Sequence, residues 1–148
     1  YIARHLMTIP CTVVAAPAII ERYGTPSDIR QFEALPCITT VTALKGAPWQ
    51  FVNRKGEFET IKVKGHYRVN SGEMAGRAAV AGVGFAILSK QACQPYINDG
   101  RLIEVEFEQA AAPLQLFAVY SNRRFLPAKT RAFIDFVHQR LSAMPSAT

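Results

Sequence analysis

The feature that most constrains the fold is the run from His66 to Leu88. His66–Val69 is β-prone, Asn70-Ser71-Gly72-Glu73 opens a stretch of small residues reaching Ala81, and Val83–Leu88 is apolar and β-prone again. Short apolar runs bounded by turn signals read as buried strands, and the stretch between them reads as helix from about Ser71 to Ala81. Asn70 is placed to cap the amides at N2 or N3, with Glu73 at N3 as in a capping box. Gly82 supplies the left-handed residue that ends the helix. Strand, helix and strand in this order form the crossover of parallel sheets, so the chain is α/β.

The remaining punctuation fits a mixed sheet. Pro10–Ala16 is a β-rich apolar run stopped by Pro17, and Cys37–Thr42 is again β-branched. Thr25-Pro26-Ser27-Asp28 offers a capping hydroxyl, Pro at N1 and a carboxylate at N3, which predicts a short helix through about Ala34. Trp49–Asn53 and Glu57–Lys64 flank Lys55-Gly56, a hairpin turn. A second helix is expected over Ser89–Ile97, disturbed by Pro95, and Asp99-Gly100 turns into Leu102–Glu108. There Ile103, Val105 and Phe107 alternate with Glu104, Glu106 and Glu108, a strand with one wet face. Such a face is expected to pair with Lys62 and Lys64 across the sheet. Leu114–Tyr120 is the last strand, and Pro127 opens a final helix whose Phe133, Phe136, Val137 and Leu141 follow helical spacing.

Composition narrows the function classes. The 148 residues are 49% apolar and 19% charged, which excludes wholesale disorder, collagen and coiled coil. They suffice for one domain or two small lobes. The +6 charge invites a nucleic-acid reading. Against it, the basic residues are dispersed and the aromatics sit in apolar runs, with no stacking stripe. Ala78–Leu88, the longest stretch without a polar side chain, is too short for a membrane span. Tyr1, not Met, opens the chain, which predicts a fragment or a processed protein, and no apolar leader follows it. Cys11, Cys37 and Cys93 fit neither a disulfide framework nor a zinc site, which points to reduced thiols and a cytoplasmic protein. His5, His66 and His138 are too scattered for a metal. No catalytic triad or phosphate loop is present, so neither an enzyme nor a cofactor is expected.

Five pieces, in order, resemble the effector-binding domain of LysR-type transcriptional regulators. They are Ile2-Ala3-Arg4-His5-Leu6; Val14-Ala15-Ala16-Pro17 with Tyr23-Gly24-Thr25-Pro26; Leu35-Pro36-Cys37-Ile38 before Trp49-Gln50-Phe51; Ala78 to Leu88; and Val119-Tyr120 through Arg124-Phe125-Leu126-Pro127 to Arg131-Ala132-Phe133-Ile134-Asp135-Phe136. The resemblance implies a periplasmic-binding-protein-like (type 2) Rossmann-like lobe with a mixed sheet. It implies effector-binding lobe II with the crossover strands over 1–120, and the C-terminal helical segment of lobe I over 121–148. The family's winged helix-turn-helix is expected to be absent from this chain. The apolar face of the last helix, lacking its usual partner, is then expected to be covered by another copy or to pack in a position foreign to the family.

Family members bind small, often carboxylated or aromatic, effectors in the cleft between lobes. Carried over by position, the expected effector-binding residues are Thr39, Thr40 and Val41 at a strand end, and Asn70, Ser71 and Gly72 at the crossover helix start, where free amides favour an anion. Thr8 and Tyr120 are expected at the cleft rim. Each has a plainer role beside it. Asn70 and Ser71 serve as helix caps, the threonines as strand formers, Tyr120 as packing. Cys37 stands near the family's peroxide-sensing cysteine but lacks both a near second cysteine and a basic cluster, so it reads as a small buried residue. The implied partners are a small-molecule effector, promoter DNA only through the absent N-terminal domain, and further copies of the chain in a homo-oligomer, with no membrane. The alternative is a fragment of a periplasmic-type solute-binding protein.

Overall fold

The computed structural model describes residues 1–40, 49–121 and 127–143. Its elements are β1 (Ile2–Ile9), β2 (Cys11–Ala15), α1 (Pro17–Tyr23), a 3-10 turn (Ile29–Glu33), β3 (Cys37–Thr40), β4 (Trp49–Val52), β5 (Phe58–Ile61), β6 (Gly65–Val69) and α2 (Gly72–Val80). There follow β7 (Ala86–Ser89), α3 (Lys90–Asn98), β8 (Ile103–Val105), β9 (Ala110–Ala111), β10 (Leu114–Tyr120) and α4 (Ala128–Ala143). They form two compact units, Pro10–Ala112 and Tyr1–Ile9 with Pro113–Thr148. In it β1 and β10 group with the final helix.

In the larger unit β2 is buried at every position, Thr12 included, which is why its sequence does not alternate between apolar and charged residues. Val13 and Ala15 join one core with Phe32, Cys37, Phe51 and Phe85, while Val14 joins a second with Ile38, Ala79, Leu88 and Cys93. Phe32 is the hub of the first core, with ring centroids of Trp49, Phe85 and Phe107 at 5.0, 5.3 and 5.4 Å in edge-to-face contact. β7 and β8 flank β2 antiparallel, and β3 pairs parallel with β6. Phe85 joins the two groups: its amide donates to the Pro36 carbonyl at 2.9 Å, and its carbonyl accepts from the Ile38 amide at 2.8 Å. Through this bridge the strand order runs β6-β3-β7-β2-β8. The expected α/β crossover is present, and it steps over β3.

Local chemistry corrects several expectations. The cap of α2 is Ser71, not Asn70: Ser71 is extended and its Oγ accepts from the Met74 amide at 3.2 Å. Glu73 therefore sits at N2 and meets Arg77 at 3.2 Å instead of closing a capping box. The helix end follows expectation, with Gly82 at φ 80°. Val83 N bonds to Ala78 O and Gly82 N to Ala79 O, the two bonds of a Schellman motif. Pro17 does not merely stop β2; it opens α1 at N1. The helix expected from Thr25 shrinks to the 3-10 turn, capped by Asp28 Oδ1, which accepts from Arg30 N, while Gln31 Oε1 accepts from Asp28 N. Pro95 lies inside α3 without stopping it.

The Leu102–Glu108 strand shortens to β8. Leu102 is buried, out of phase with Val105, and the chain leaves the ladder to form β9 against β4. Glu108 meets Arg54 at 3.5 Å, and among the described residues no ion pair joins these glutamates to Lys62 or Lys64. The β4–β5 hairpin is as expected, with Gly56 at φ 79° and Asn53 Oδ1 accepting from Lys55 N and Glu57 N.

In the smaller unit β1 and β10 form an antiparallel ladder with a bulge between His5 and Met7. α4 rests on β1, tied by the Arg4–Asp135 ion pair, and the residue it buries is Ile134. In the single chain Phe133 and Phe136 are 66% and 59% exposed, while Val137 is half-buried. Ile134 faces inward, and its neighbour Asp135 pairs with Arg4 on β1.

Candidate functional site

The parallel pairing of β3 and β6 brings the central candidates together. Thr39 stands opposite Arg68 and Thr40 opposite Val69, so Thr40 ends its strand where β6 passes into Asn70, Ser71 and α2. Both threonines are half-buried, and Asn70 and Gly72 are exposed. Ser71 spends its hydroxyl on Met74 N, and the Ala75 amide bonds to Ser71 O. The amides of Gly72 and Glu73, at N1 and N2, lie ahead of these intrahelical bonds at the positive end of the helix. Strand termini beside a helix start are the usual ligand position of open α/β sheets. Val41 lies outside the described residues, as do Thr42 and the Arg124-Phe125-Leu126 motif.

Thr8 and Tyr120 belong to the two-stranded unit and are not brought together there. Thr8 faces Gln115 and Tyr120 faces Ile2, near opposite ends of the ladder. Thr8 Oγ1 donates to Gln115 Oε1 at 2.8 Å and lies 3.1 Å from His5 Nε2. His5 Nε2 in turn reaches Gln115 Oε1 at 2.7 Å, and its ring meets Phe117 edge-on. The bulge after His5 is what sets residues 5 and 8 on one face, since regular alternation would separate them.

Two residues near the β3–β6 pair were missed in the sequence. A Cβ at Gly65 would lie 2.7 Å from Thr39 Oγ1 and 3.4 Å from Arg68 Nε. A hydroxyl and a guanidinium thus lean over a position without a side chain. The signal was there in principle: a glycine opening β6, and an arginine one residue before the strand's end.

The thiols are ill suited to chemistry. Burial pushes the Cys37 thiol from 9.0 up to about 12, and its Sγ donates to the Phe32 carbonyl at 3.6 Å. Cys93 rises to about 11, first through burial and then through the nearby Glu104 charge. Among the described residues no His, Cys, Asp and Glu cluster suits a metal, and no helix is long and apolar enough to cross a membrane. A cavity of about 200 Å³ opens beside β2 and β8, lined by Val13, Phe51, Phe107, Lys90, Glu104 and Glu106 among others; none of the candidate residues lines it.

A mixed sheet with strand ends gathered beside a crossover helix defines an α/β ligand-binding module. The chain matches the LysR substrate binding domain over residues 1–142, and it belongs to that family. It is 33% identical over 143 residues to the HTH-type transcriptional regulator DmlR of Escherichia coli, covering 93% of this chain and 45% of that protein. It is 27% identical over 140 residues to the HTH-type transcriptional regulator CrgA of Neisseria meningitidis, covering 94% and 46%. The chain therefore spans about half the length of these curated relatives, which are transcriptional regulators. Among solved structures it resembles the regulatory domain of CrgA (TM-score 0.71, 26% identity, 95% of this chain and 69% of that one). It also resembles the regulatory domain of AphB in Vibrio vulnificus (TM-score 0.71, 26% identity, 92% and 68%).

Proposed function

We propose that this chain is the effector-sensing part of a cytoplasmic, homo-oligomeric transcriptional regulator, and that it binds a small carboxylated or aromatic metabolite to control transcription. The observation that carries the reading is the family match over residues 1–142. In this reading Thr39, Thr40, Val41, Asn70, Ser71 and Gly72 contact the effector, and Thr8 and Tyr120 contribute from the two-stranded unit. Lobe II with its crossover strands and the returning helix of lobe I are the parts in hand, and promoter DNA is gripped by a winged helix-turn-helix outside these residues. Effector binding works by favouring one arrangement of the protein over another, so its leverage is its differential affinity for the two. The family match displaces the solute-binding alternative.

A thermal-shift screen of carboxylated and aromatic metabolites, followed by promoter gel shifts with the whole protein, tests this. The expected result is a compound that raises the melting midpoint and changes DNA affinity, with a weakened response in Thr40→Val and Asn70→Ala at an unchanged ligand-free midpoint. A DNA response that both variants leave intact refutes these contacts.

A further inference from the structure

We propose that the cavity beside β2 and β8 is a second binding site, for a free aliphatic α-amino acid held as a zwitterion by Thr12, Lys90, Glu104 and Glu106. The cavity lies wholly within the Pro10–Ala112 unit. In the strand order β6-β3-β7-β2-β8 it stands at the edge opposite the β3–β6 candidates. It exists because β8 pairs with β2 only over Val13–Ala15, after which the chain crosses to β4 as β9. Phe51 and Phe107, with ring centroids 6.2 Å apart, give it an aromatic wall. Its volume of about 200 Å³ equals that of about seven waters at about 30 Å³ each, the space of a molecule the size of leucine.

The polar lining defines the ligand. Thr12, 7% exposed, is the one buried polar residue among the described residues. Its hydroxyl makes no hydrogen bond among them, whereas a buried hydroxyl ordinarily finds a partner. No buried side-chain oxygen or nitrogen there is both unpaired and sealed off, so the Thr12 oxygen opens on the cavity that the residue lines. Lys90 and Glu104 line the same space half-buried, and Glu106 lines it exposed. The Lys90 amide donates to the Pro10 carbonyl at 2.9 Å, which fixes the start of α3 beside β2. Among the described residues no ion pair joins the lysine to either glutamate, or any of the three to another group.

Opposite charges thus line one small space without neutralising each other. A plain amine would meet the like charge of Lys90, and a plain carboxylate that of the two glutamates. A zwitterion satisfies both signs: its ammonium donates to the glutamates, and its carboxylate accepts from Lys90 Nζ and the Thr12 hydroxyl. An aliphatic side chain then rests on Phe51 and Phe107, the apolar part of a small-molecule site.

The test is a ¹⁵N chemical-shift titration of the chain at neutral pH and fixed ionic strength with leucine, with 3-methylbutylamine (leucine without its carboxylate) and with 4-methylpentanoate (leucine without its ammonium). The expected result is that leucine moves the amides of Thr12, Lys90 and Glu104–Phe107 and leaves those of Thr39, Thr40 and Asn70–Gly72 in place. The amine and the acid are expected to bind about tenfold more weakly or worse, each lacking one set of charge-assisted hydrogen bonds. Glu104→Gln and Lys90→Met are each expected to weaken leucine about tenfold, and Thr12→Val less. Lys90 and Glu104 are half-buried and unpaired, so their variants should keep the ligand-free spectrum away from the cavity, which separates lost binding from lost folding. No response of the cavity amides to leucine overturns the proposal. So does binding of the amine or the acid as tight as that of leucine, unchanged affinity in both Glu104→Gln and Lys90→Met, or a leucine response confined to Thr39–Thr40 and Asn70–Gly72.

Discussion

Gly84 lies against the backbone of Pro36: a Cβ on Gly84 would stand 2.6 Å from the Pro36 carbonyl oxygen and 2.9 Å from its carbon. That same carbonyl accepts the Phe85 amide, so the close approach is what lets the strand from Phe85 dock on β3. Substituting Gly84→Ala must push the two strands apart, because the obstacle is backbone and has no rotamer to yield. We expect a loss of about 1–3 kcal/mol in urea unfolding, the range for overpacking a tight site. Gly72→Ala, where a Cβ would meet nothing within 4 Å, is the control and should change stability little.

Phe32 is fully buried and its ring contacts Trp49, Phe85 and Phe107. Truncating it removes the hub of one core. Phe32→Ala is expected to cost about 3–5 kcal/mol, read as a lowered denaturation midpoint. Phe133→Ala, on the exposed side of α4, should stay within about 0.5 kcal/mol of the parent.

The cap of α2 separates two neighbouring polar residues. Ser71→Ala removes the acceptor for the Met74 amide and is expected to destabilise by about 1 kcal/mol. Asn70→Ala should leave stability nearly unchanged, since among the described residues its side chain makes no hydrogen bond within the helix. Chemical denaturation of the two variants decides between them; the reverse order would return the cap to Asn70.

Burial of the thiols sets an alkaline limit. The Cys37 thiol ionises near 9.0 when exposed and at about 12 in the fold, and Cys93 at about 11. The fold favours their neutral forms, so this stability is complete below pH 9. It is lost as pH rises from about 9 through 11 and 12, where only unfolded chains shed the protons. Denaturation midpoints should fall over that window, and Cys37→Ser or Cys93→Ser should flatten the fall. At pH 8, alkylation of native Cys37 by iodoacetamide should track global unfolding.

Much of this architecture was legible in residue patterns, because those patterns encode local physics. The apolar run Pro10–Ala16, the Lys55-Gly56 turn and the small-residue stretch ending at Gly82 each specify their element within a few residues of chain. The misreadings fall where two local solutions compete. Asn70 and Ser71 are both able caps, and the backbone angles at Ser71 chose. Thr25 and Asp28 both open helices, and Gln31, reaching back to Asp28 N, chose the later start. The helical spacing of Phe133, Phe136, Val137 and Leu141 named an apolar stripe, but the residue α4 buries is Ile134, beside the Asp135 that pairs with Arg4, 131 positions away.

The candidate site divides along the same line. Sequence alone determined that the chain is α/β, that a helix starts after β6 with free amides, and that Thr39 and Thr40 lie in a strand. It determined these because hydrogen bonding and side-chain alternation act between neighbours in the chain. Only the tertiary structure decided that Thr40 stands beside Val69, that Phe85 knits β3 to β7, and that the Thr39 side chain and Arg68 Nε pack where a side chain at Gly65 would stand. Those relationships depend on strand register and on how closely two backbones approach, and both are settled by packing between segments far apart in the chain.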